Sequence, residues 1–120
     1  MSIRYLMDEN LDPLYKRQLL AKRPRLLVYA VGDPGCPPKE TLDPEILGWC
    51  EDNGFVLVTN NRKSMSPHLG AHLAQGRHVP GIITLNDEMS IGETIEELIL
   101  IAEASLADEY WDRIVYLPVP

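Results

Sequence analysis

The chain has 120 residues, of which 45% are hydrophobic and 24% charged, and its formal net charge is −7. This size and composition predict one globular domain over residues 1–120, and two cysteines are too few for a disulfide scaffold, which favours the reducing cytoplasm. No apolar run approaches the roughly 18 residues of a membrane span, so we expect a protein without membrane segments.

Five apolar runs are spaced along the chain as buried β-strands would be. They are mostly continuous rather than alternating, which is typical of strands that are covered on both faces. The predicted strands are residues 3–7, 26–31, 55–58, 82–85 and 113–117.

Helix signals lie between these runs. Three predicted helices begin where a capping residue precedes proline, and a fourth begins at the capping box of Ser90 and Glu93. The first three starts are Asp12-Pro13, Asp43-Pro44 and Ser66-Pro67, with Asn53-Gly54 and Gly76 as helix ends and residues 32–41 as a loop. The alternation predicts an α/β fold: a three-layer α/β/α sandwich with a mostly parallel five-stranded sheet and right-handed crossovers.

The charge is unevenly distributed. Residues 87–120 carry nine carboxylates against one arginine, a net −8, which leaves +1 for residues 1–86. Two acid-free stretches, residues 13–32 and 53–86, hold most of the cations and all three histidines. Such clusters can bind phosphates despite an acidic total, or they can be solvated helix and loop faces.

Polar residues follow several predicted strands. Ligands of open parallel sheets bind beyond the carboxyl ends of the strands. The polar groups at this edge are Asp8-Glu9-Asn10, Asp43 with Glu45, Thr59-Asn60-Asn61, and Asn86-Asp87-Glu88. Converging carboxylate and amide oxygens suit Mg²⁺ or Mn²⁺, ions that serve phosphoryl transfer by activating water and neutralising developing charge.

These motifs resemble a family. Asp8-Glu9-Asn10 after an opening strand, Asp43 and Glu45 at a helix start, and residues 56–60 closing a strand are similar to the short bacterial PIN-like proteins. Those proteins are related to the PIN ribonuclease domain of VapC-type toxins in toxin–antitoxin pairs. The motifs cover residues 3–65.

The resemblance implies a site and partners. Asp8 and Asp43 would hold Mg or Mn, with Glu9 or Glu45 assisting the reaction. Asn60 and Asn61 would position water or phosphate. The residues expected to contact the RNA backbone are Arg62, Lys63 and Arg77. The implied partners are RNA and an antitoxin-like protein, and we also expect a homo-oligomer.

The chain departs from the family pattern after the third strand. Asn61 stands where the family places an aspartate, and Lys63 lies near the next acid. Asparagine brings no charge, and a protonated lysine cannot bind a metal. One hypothesis is therefore that Lys63 or Arg62 takes the place of the metal and pairs with Asp8 and Asp43.

Three functions remain open at this point. The first is a metal-dependent ribonuclease with a degenerate acidic site, and the second is a non-catalytic PIN-like module that binds RNA or a protein partner. The third is a structural or oligomeric role, with residues 117–120 at an edge and the fifth strand pairing in its own sheet or with a second copy.

Several candidate residues also have structural interpretations. Asp43 is a predicted helix N-cap, and Glu45 favours the helix dipole. His68 and His72 share one helical face, but no third ligand is evident, which favours surface or RNA-facing histidines over a zinc site. The residues expected to pack in loops, helix faces or the core are Cys36, Cys50, Trp49 and Trp111.

Overall fold

The computed structural model describes residues 3–61, 63–106 and 108–119. Five strands alternate with four helices, as predicted. The strands are β1 (Tyr5–Met7), β2 (Val28–Ala30), β3 (Val56–Thr59), β4 (Ile82–Thr84) and β5 (Ile114–Tyr116). The helices are α1 (Pro13–Lys22), α2 (Asp43–Asn53), α3 (Met65–Ala74) and α4 (Ile91–Ala104). None of these helices is long and apolar enough to cross a membrane.

The five strands form one sheet in the order β2-β1-β3-β4-β5, and every neighbouring pair is parallel. The fifth strand therefore pairs with β4 in its own sheet. The chain leaves β1 toward one edge of the sheet and leaves β3 toward the other. Because β1 and β3 are neighbours, this reversal creates a crevice between their carboxyl ends.

Helices cover both faces of the sheet. Leu19 of α1 and Leu98 of α4 pack with Met7 and Val58 in one buried cluster. The residues of the second cluster come from the opposite side of the same strands and from the other two helices, and they include Leu6, Leu57, Leu47 and Leu69. The fold is thus the predicted three-layer sandwich, with α1 and α4 on one face and α2 and α3 on the other.

The crossovers do not all have the same hand. The connections through α2, α3 and α4 all run in the same direction across the sheet. However, α4 packs on the face opposite to α2 and α3. The β4–α4–β5 connection therefore has the opposite hand to the β2–α2–β3 and β3–α3–β4 connections. The prediction of uniformly right-handed crossovers is wrong for at least one of them.

Two predicted helix starts are confirmed and two are wrong. The Leu14 N–H donates to Asp12 Oδ1 at 2.9 Å at the start of α1, and Ser90 and Glu93 form the capping box of α4. Asp43, however, is the first helical residue of α2 rather than its cap, because the Leu42 carbonyl accepts the first helical bonds. Helix α3 begins at Met65, before the predicted Ser66-Pro67 start, and Ser64 precedes it without a side-chain cap.

Candidate functional site

Asp8 lies at the crevice between the ends of β1 and β3. Its backbone N–H donates to the Val58 carbonyl at 2.9 Å, which extends the parallel pairing one residue beyond β1. Its half-buried carboxylate accepts a hydrogen bond from Thr59 Oγ1 at 3.1 Å. Because Thr59 is fully buried at the end of β3, this bond holds the Asp8 side chain against the neighbouring strand.

The turn after β3 connects Asp8 to α2. The Asn61 backbone N–H donates to Thr59 Oγ1 at 3.1 Å, and Asn61 Oδ1 accepts from the Ser64 N–H at 3.2 Å. Asn61 Nδ2 lies 3.5 Å from Asp43 Oδ2, at the outer limit of a hydrogen bond. The Asn61 carboxamide thus joins this turn to the first residue of α2.

His68 of α3 completes the cluster, and its Nε2 lies 3.6 Å from Asp43 Oδ2. We define the Asp8–Asp43 site as Asp8, Thr59, Asn61, Asp43 and His68. The sequence interpretation did not place His68 beside Asp43, although the position of His68 in the helix that follows β3 was a usable signal.

The pKa of Asp8 is raised above its ordinary value. Burial is the largest cause, and the negative charges of Asp43 and Glu9 also raise it. Hydrogen bonds from Thr59 and from the Glu9 backbone act in the opposite direction and lower it. The contribution of Asp43 means that the two carboxylates are close enough to repel each other, so a cation between them would be stabilised.

Two other predicted site residues have different surroundings. Glu9 Oε1 accepts a hydrogen bond from the Glu40 N–H at 2.7 Å and so holds the loop of residues 32–41 against the end of β1. Asn60 is exposed beside Asn61 and has no hydrogen bond to the cluster in the described part of the chain. Neither residue belongs to the Asp8–Asp43 site.

Two of the three predicted cations, Lys63 and Arg77, are not part of the site either. Lys63 is exposed, and the ion pairs found among residues 3–61, 63–106 and 108–119 include none between Lys63 and Asp8 or Asp43. Arg62 lies outside the described residues. Arg77 Nε pairs with Glu51 Oε1 at 2.9 Å in the last turns of α2. Since a helix rises about 1.5 Å per residue, Arg77 lies on the order of 10 Å along α2 from Asp43.

The other histidines and the fourth polar turn have structural roles. His72 is buried, and its Nε2 lies 3.0 Å from both Glu51 Oε1 and the His78 carbonyl oxygen, so it ties α3 to α2 and to the following loop. Asn86 Oδ1 accepts from the Glu88 N–H at 2.9 Å and closes the turn before α4. Neither group contacts Asp8 or Asp43 through a hydrogen bond in the described part of the chain.

The donor set suits one kind of metal binding. Among the described residues, no group of three histidine, cysteine, aspartate or glutamate side chains is arranged to hold a metal by itself. Mg²⁺, however, is commonly bound by one or two carboxylates together with waters and substrate phosphates. Asp8 and Asp43 fit such a hydrated, substrate-bridging ion rather than a closed protein cage. Asn61 turns its Nδ2 donor toward Asp43 and its Oδ1 toward the Ser64 N–H, so it orients Asp43 rather than supplying a ligand.

Comparison of the chain with models of known protein families, with curated proteins and with solved structures gave no match. The fold and the site define an α/β protein whose two interacting carboxylates lie at the crevice of a parallel sheet. The resemblance of the sequence motifs to PIN-like proteins therefore stays a prediction.

Proposed function

We propose that this protein is a PIN-like ribonuclease that cleaves RNA phosphodiesters with a Mg or Mn ion held by Asp8 and Asp43. The observation that supports the proposal is the convergence of these carboxylates, from β1 and α2, at the crevice beyond the sheet. Their mutual repulsion helps to raise the pKa of Asp8, and a divalent cation would relieve it.

The described residues have distinct tasks in this proposal. A bound cation would activate water and offset the charge that develops on the phosphate. Thr59 fixes the Asp8 carboxylate through its 3.1 Å hydrogen bond. Asn61 and His68 flank Asp43 Oδ2 at 3.5 and 3.6 Å and orient that carboxylate. We place the activity in the cytoplasm, where the two free thiols would stay reduced.

An RNA cleavage assay tests the proposal. Structured and single-stranded RNA are incubated with the protein, with Mn²⁺ or with a chelator. We expect cleavage only with the metal, and a rate lower by on the order of 100-fold or more in Asp8→Asn and Asp43→Asn. Asp87→Asn is the matched control, because Asp87 is an exposed acid at the same edge. Cleavage that survives both site substitutions would come from a contaminant and would overturn the proposal.

A second candidate function is a non-catalytic PIN-like module that binds RNA or a protein partner. It is favoured by the turn after β3, where the amide of Asn61 and the exposed Lys63 stand instead of two carboxylates. Calorimetric titration with Mn²⁺ separates the two candidates. Absence of binding near Asp8, together with salt-dependent RNA binding without turnover, would support the non-catalytic RNA-binding form.

The protein-binding form of this second candidate has its own observation. Exposed Glu93 and Glu96 lie along α4, within residues 87–120, which carry the excess negative charge. A basic protein, such as an antitoxin-like partner, would complement this helix, and a homo-oligomer is part of the same hypothesis. Size-exclusion chromatography at low and high salt distinguishes a stable oligomer from a monomer that awaits a partner.

A further inference from the structure

A cavity of about 370 Å³ adjoins Asp8, and Asp43 is not among the described residues that line it. The end of β1, the first turns of α1 and the loop of residues 32–41 surround it. We call it the α1 cavity. Its volume lies in the range of small-molecule pockets. Because Asp8 belongs both to its wall and to the Asp8–Asp43 site, a ligand in the cavity would lie next to the proposed reaction centre.

Carboxylates of the α1 cavity are already engaged by the protein. Asp33 Oδ2 accepts from Lys16 Nζ at 2.5 Å and from the Ala30 N–H at 2.9 Å. Burial raises the pKa of Asp33, but these bonds and the charge of Lys16 together outweigh burial and hold the pKa below its ordinary value. Asp12 accepts from the N–H of Leu14 and Glu9 from that of Glu40. Among these described carboxylates only Asp33 is paired with a cation, whereas Asp8, Glu9 and Asp12 accept hydrogen bonds from neutral donors and keep their negative charge.

Two cationic side chains that line the α1 cavity have no partner among the described residues. Arg17 and Lys39 are exposed, and neither makes a hydrogen bond or an ion pair with another described residue. The position of the Lys39 side chain also depends on Gly32, which lies beside it. A Cβ at Gly32 would lie 3.0 Å from Lys39 Cγ and 3.2 Å from its Cε, and Gly32 has a φ of +99°. The absence of a side chain at Gly32 therefore lets the Lys39 methylenes lie across the loop backbone.

We infer that the α1 cavity is a phosphate subsite, in which Arg17 and Lys39 bind the RNA phosphate next to the one at Asp8. The inference rests on the proposed function, because RNA is the ligand that would connect the two sites. Arginine binds phosphate oxygens through two parallel N–H donors, and lysine binds them as a point charge. Arg17 and Lys39 offset two of the three unpaired carboxylates of the described wall, and the divalent cation proposed at Asp8 would make the wall positive and favour an anion here.

Binding of a short fluorescent single-stranded RNA tests the inference, with Asp8→Asn as the background so that cleavage does not intervene. Arg17→Gln and Lys39→Gln are compared with Lys22→Gln, an exposed lysine at the far end of α1 that serves as the matched control. We expect each cavity variant to weaken binding several-fold and to lower the salt slope by about 0.7, the value for one phosphate contact on a single strand. We expect Lys22→Gln to leave both quantities unchanged.

The outcomes separate the inference from the proposed function. Equal losses in the cavity variants and in Lys22→Gln, or no loss in any of them, would overturn the subsite and leave the cleavage assay to decide the function. Specific losses in Arg17→Gln and Lys39→Gln would support the subsite even if the unaltered protein cleaves no RNA, and in that case only the proposed cleavage would fail. Thermal unfolding of each variant confirms that the fold is retained.

Discussion

Ionisation of the Asp8 carboxyl opposes folding. Burial raises the pKa of its carboxyl above the ordinary 3.8, so the folded state binds this proton more tightly than the unfolded state does. The contribution of Asp8 to stability therefore falls as the pH rises from 3.8 through the raised folded pKa, and it stays lost above that range. A charge retained at this cost is typical of a functional group.

Asp8→Asn removes this ionisation. We expect the variant to have a higher free energy of unfolding than the unaltered protein at neutral pH, and we expect the difference to shrink toward about pH 3. Urea unfolding at both pH values measures it, with Asp87→Asn as the exposed control. A variant that is less stable at neutral pH would show that the hydrogen bond from Thr59 to the charged carboxylate outweighs the cost of burial.

Two buried threonines allow a matched test of hydrogen bonding. Thr59 and Thr84 are register partners at the ends of β3 and β4, and both are buried. Thr59 Oγ1 donates to Asp8 and accepts from Asn61, whereas Thr84 Oγ1 has no hydrogen-bond partner in the described part of the chain. We expect Thr59→Val to cost about 1 kcal/mol or more, and Thr84→Val to be neutral or stabilising.

Chemical denaturation of the two valine variants checks this expectation. Similar losses in both would mean that the Thr84 hydroxyl has a partner after all. The result also bears on the site. Because Thr59 positions Asp8, we expect Thr59→Val to reduce any metal binding as well.

At the scale of elements, α4 offers a test of capping. The Ser90 side chain accepts from the Glu93 N–H at 3.1 Å, and Glu93 Oε1 accepts from the Ser90 N–H at 3.0 Å. We expect Ser90→Ala to cost about 0.5–2 kcal/mol. Ser66→Ala is the control, since Ser66 is an exposed residue inside α3 rather than its cap, and we expect a change within about 0.5 kcal/mol. Equal effects in thermal unfolding would contradict this difference.

The two wrong helix starts have one physical reason. Serine or aspartate before proline is a strong local signal for a helix cap. At the crevice, however, contacts between distant segments determine where α2 and α3 begin. Asn61 Oδ1 takes the Ser64 N–H, and α3 then begins at Met65. Asp43 lies close to Asn61 and His68 instead of capping the start of α2. The local rule fails at the residues that form the site, as is expected where function competes with local stability.

Packing against the sheet dominates stability at the scale of the whole molecule. Leu98 is fully buried in the α1 and α4 layer, whereas Leu100 on the same helix is 59% exposed. We expect Leu98→Ala to cost about 2–5 kcal/mol through lost burial and a cavity. Leu100→Ala should change stability by about 0.5 kcal/mol or less. Comparable losses in urea unfolding would mean that Leu100 is covered in solution, for example by a second copy.

The sequence predicted the type and order of the elements, but it overestimated the lengths of most strands. Ile3, Leu85 and Leu117 belong to the apolar runs but lie outside β1, β4 and β5. All three are nevertheless buried. An apolar run records burial, whereas a strand also requires pairing, so the runs overestimate most of the strands.

For the candidate site, the sequence indicated the edge of the sheet at which Asp8 lies but not all of its neighbours. Asp8, Asp43 and Asn61 come together as predicted. Arg77 is held at the other end of α2 by Glu51, and among the described residues His68, rather than Lys63, lies beside Asp43. Chain order indicates which residues reach the carboxyl edge, but side-chain directions depend on helix starts and on the packing of α3 against α2.

Local signals were enough to predict the α/β class, the alternation of strands and helices, and the position of the Asp8-Glu9-Asn10 turn at a strand end. Periodicity and capping act over a few residues and can be seen in the sequence. The strand order, the face that α4 covers and the residues that surround Asp8 became known from the folded structure alone. These features depend on contacts between distant segments, such as the hydrogen bond that joins Asp8 to Thr59 across 51 positions.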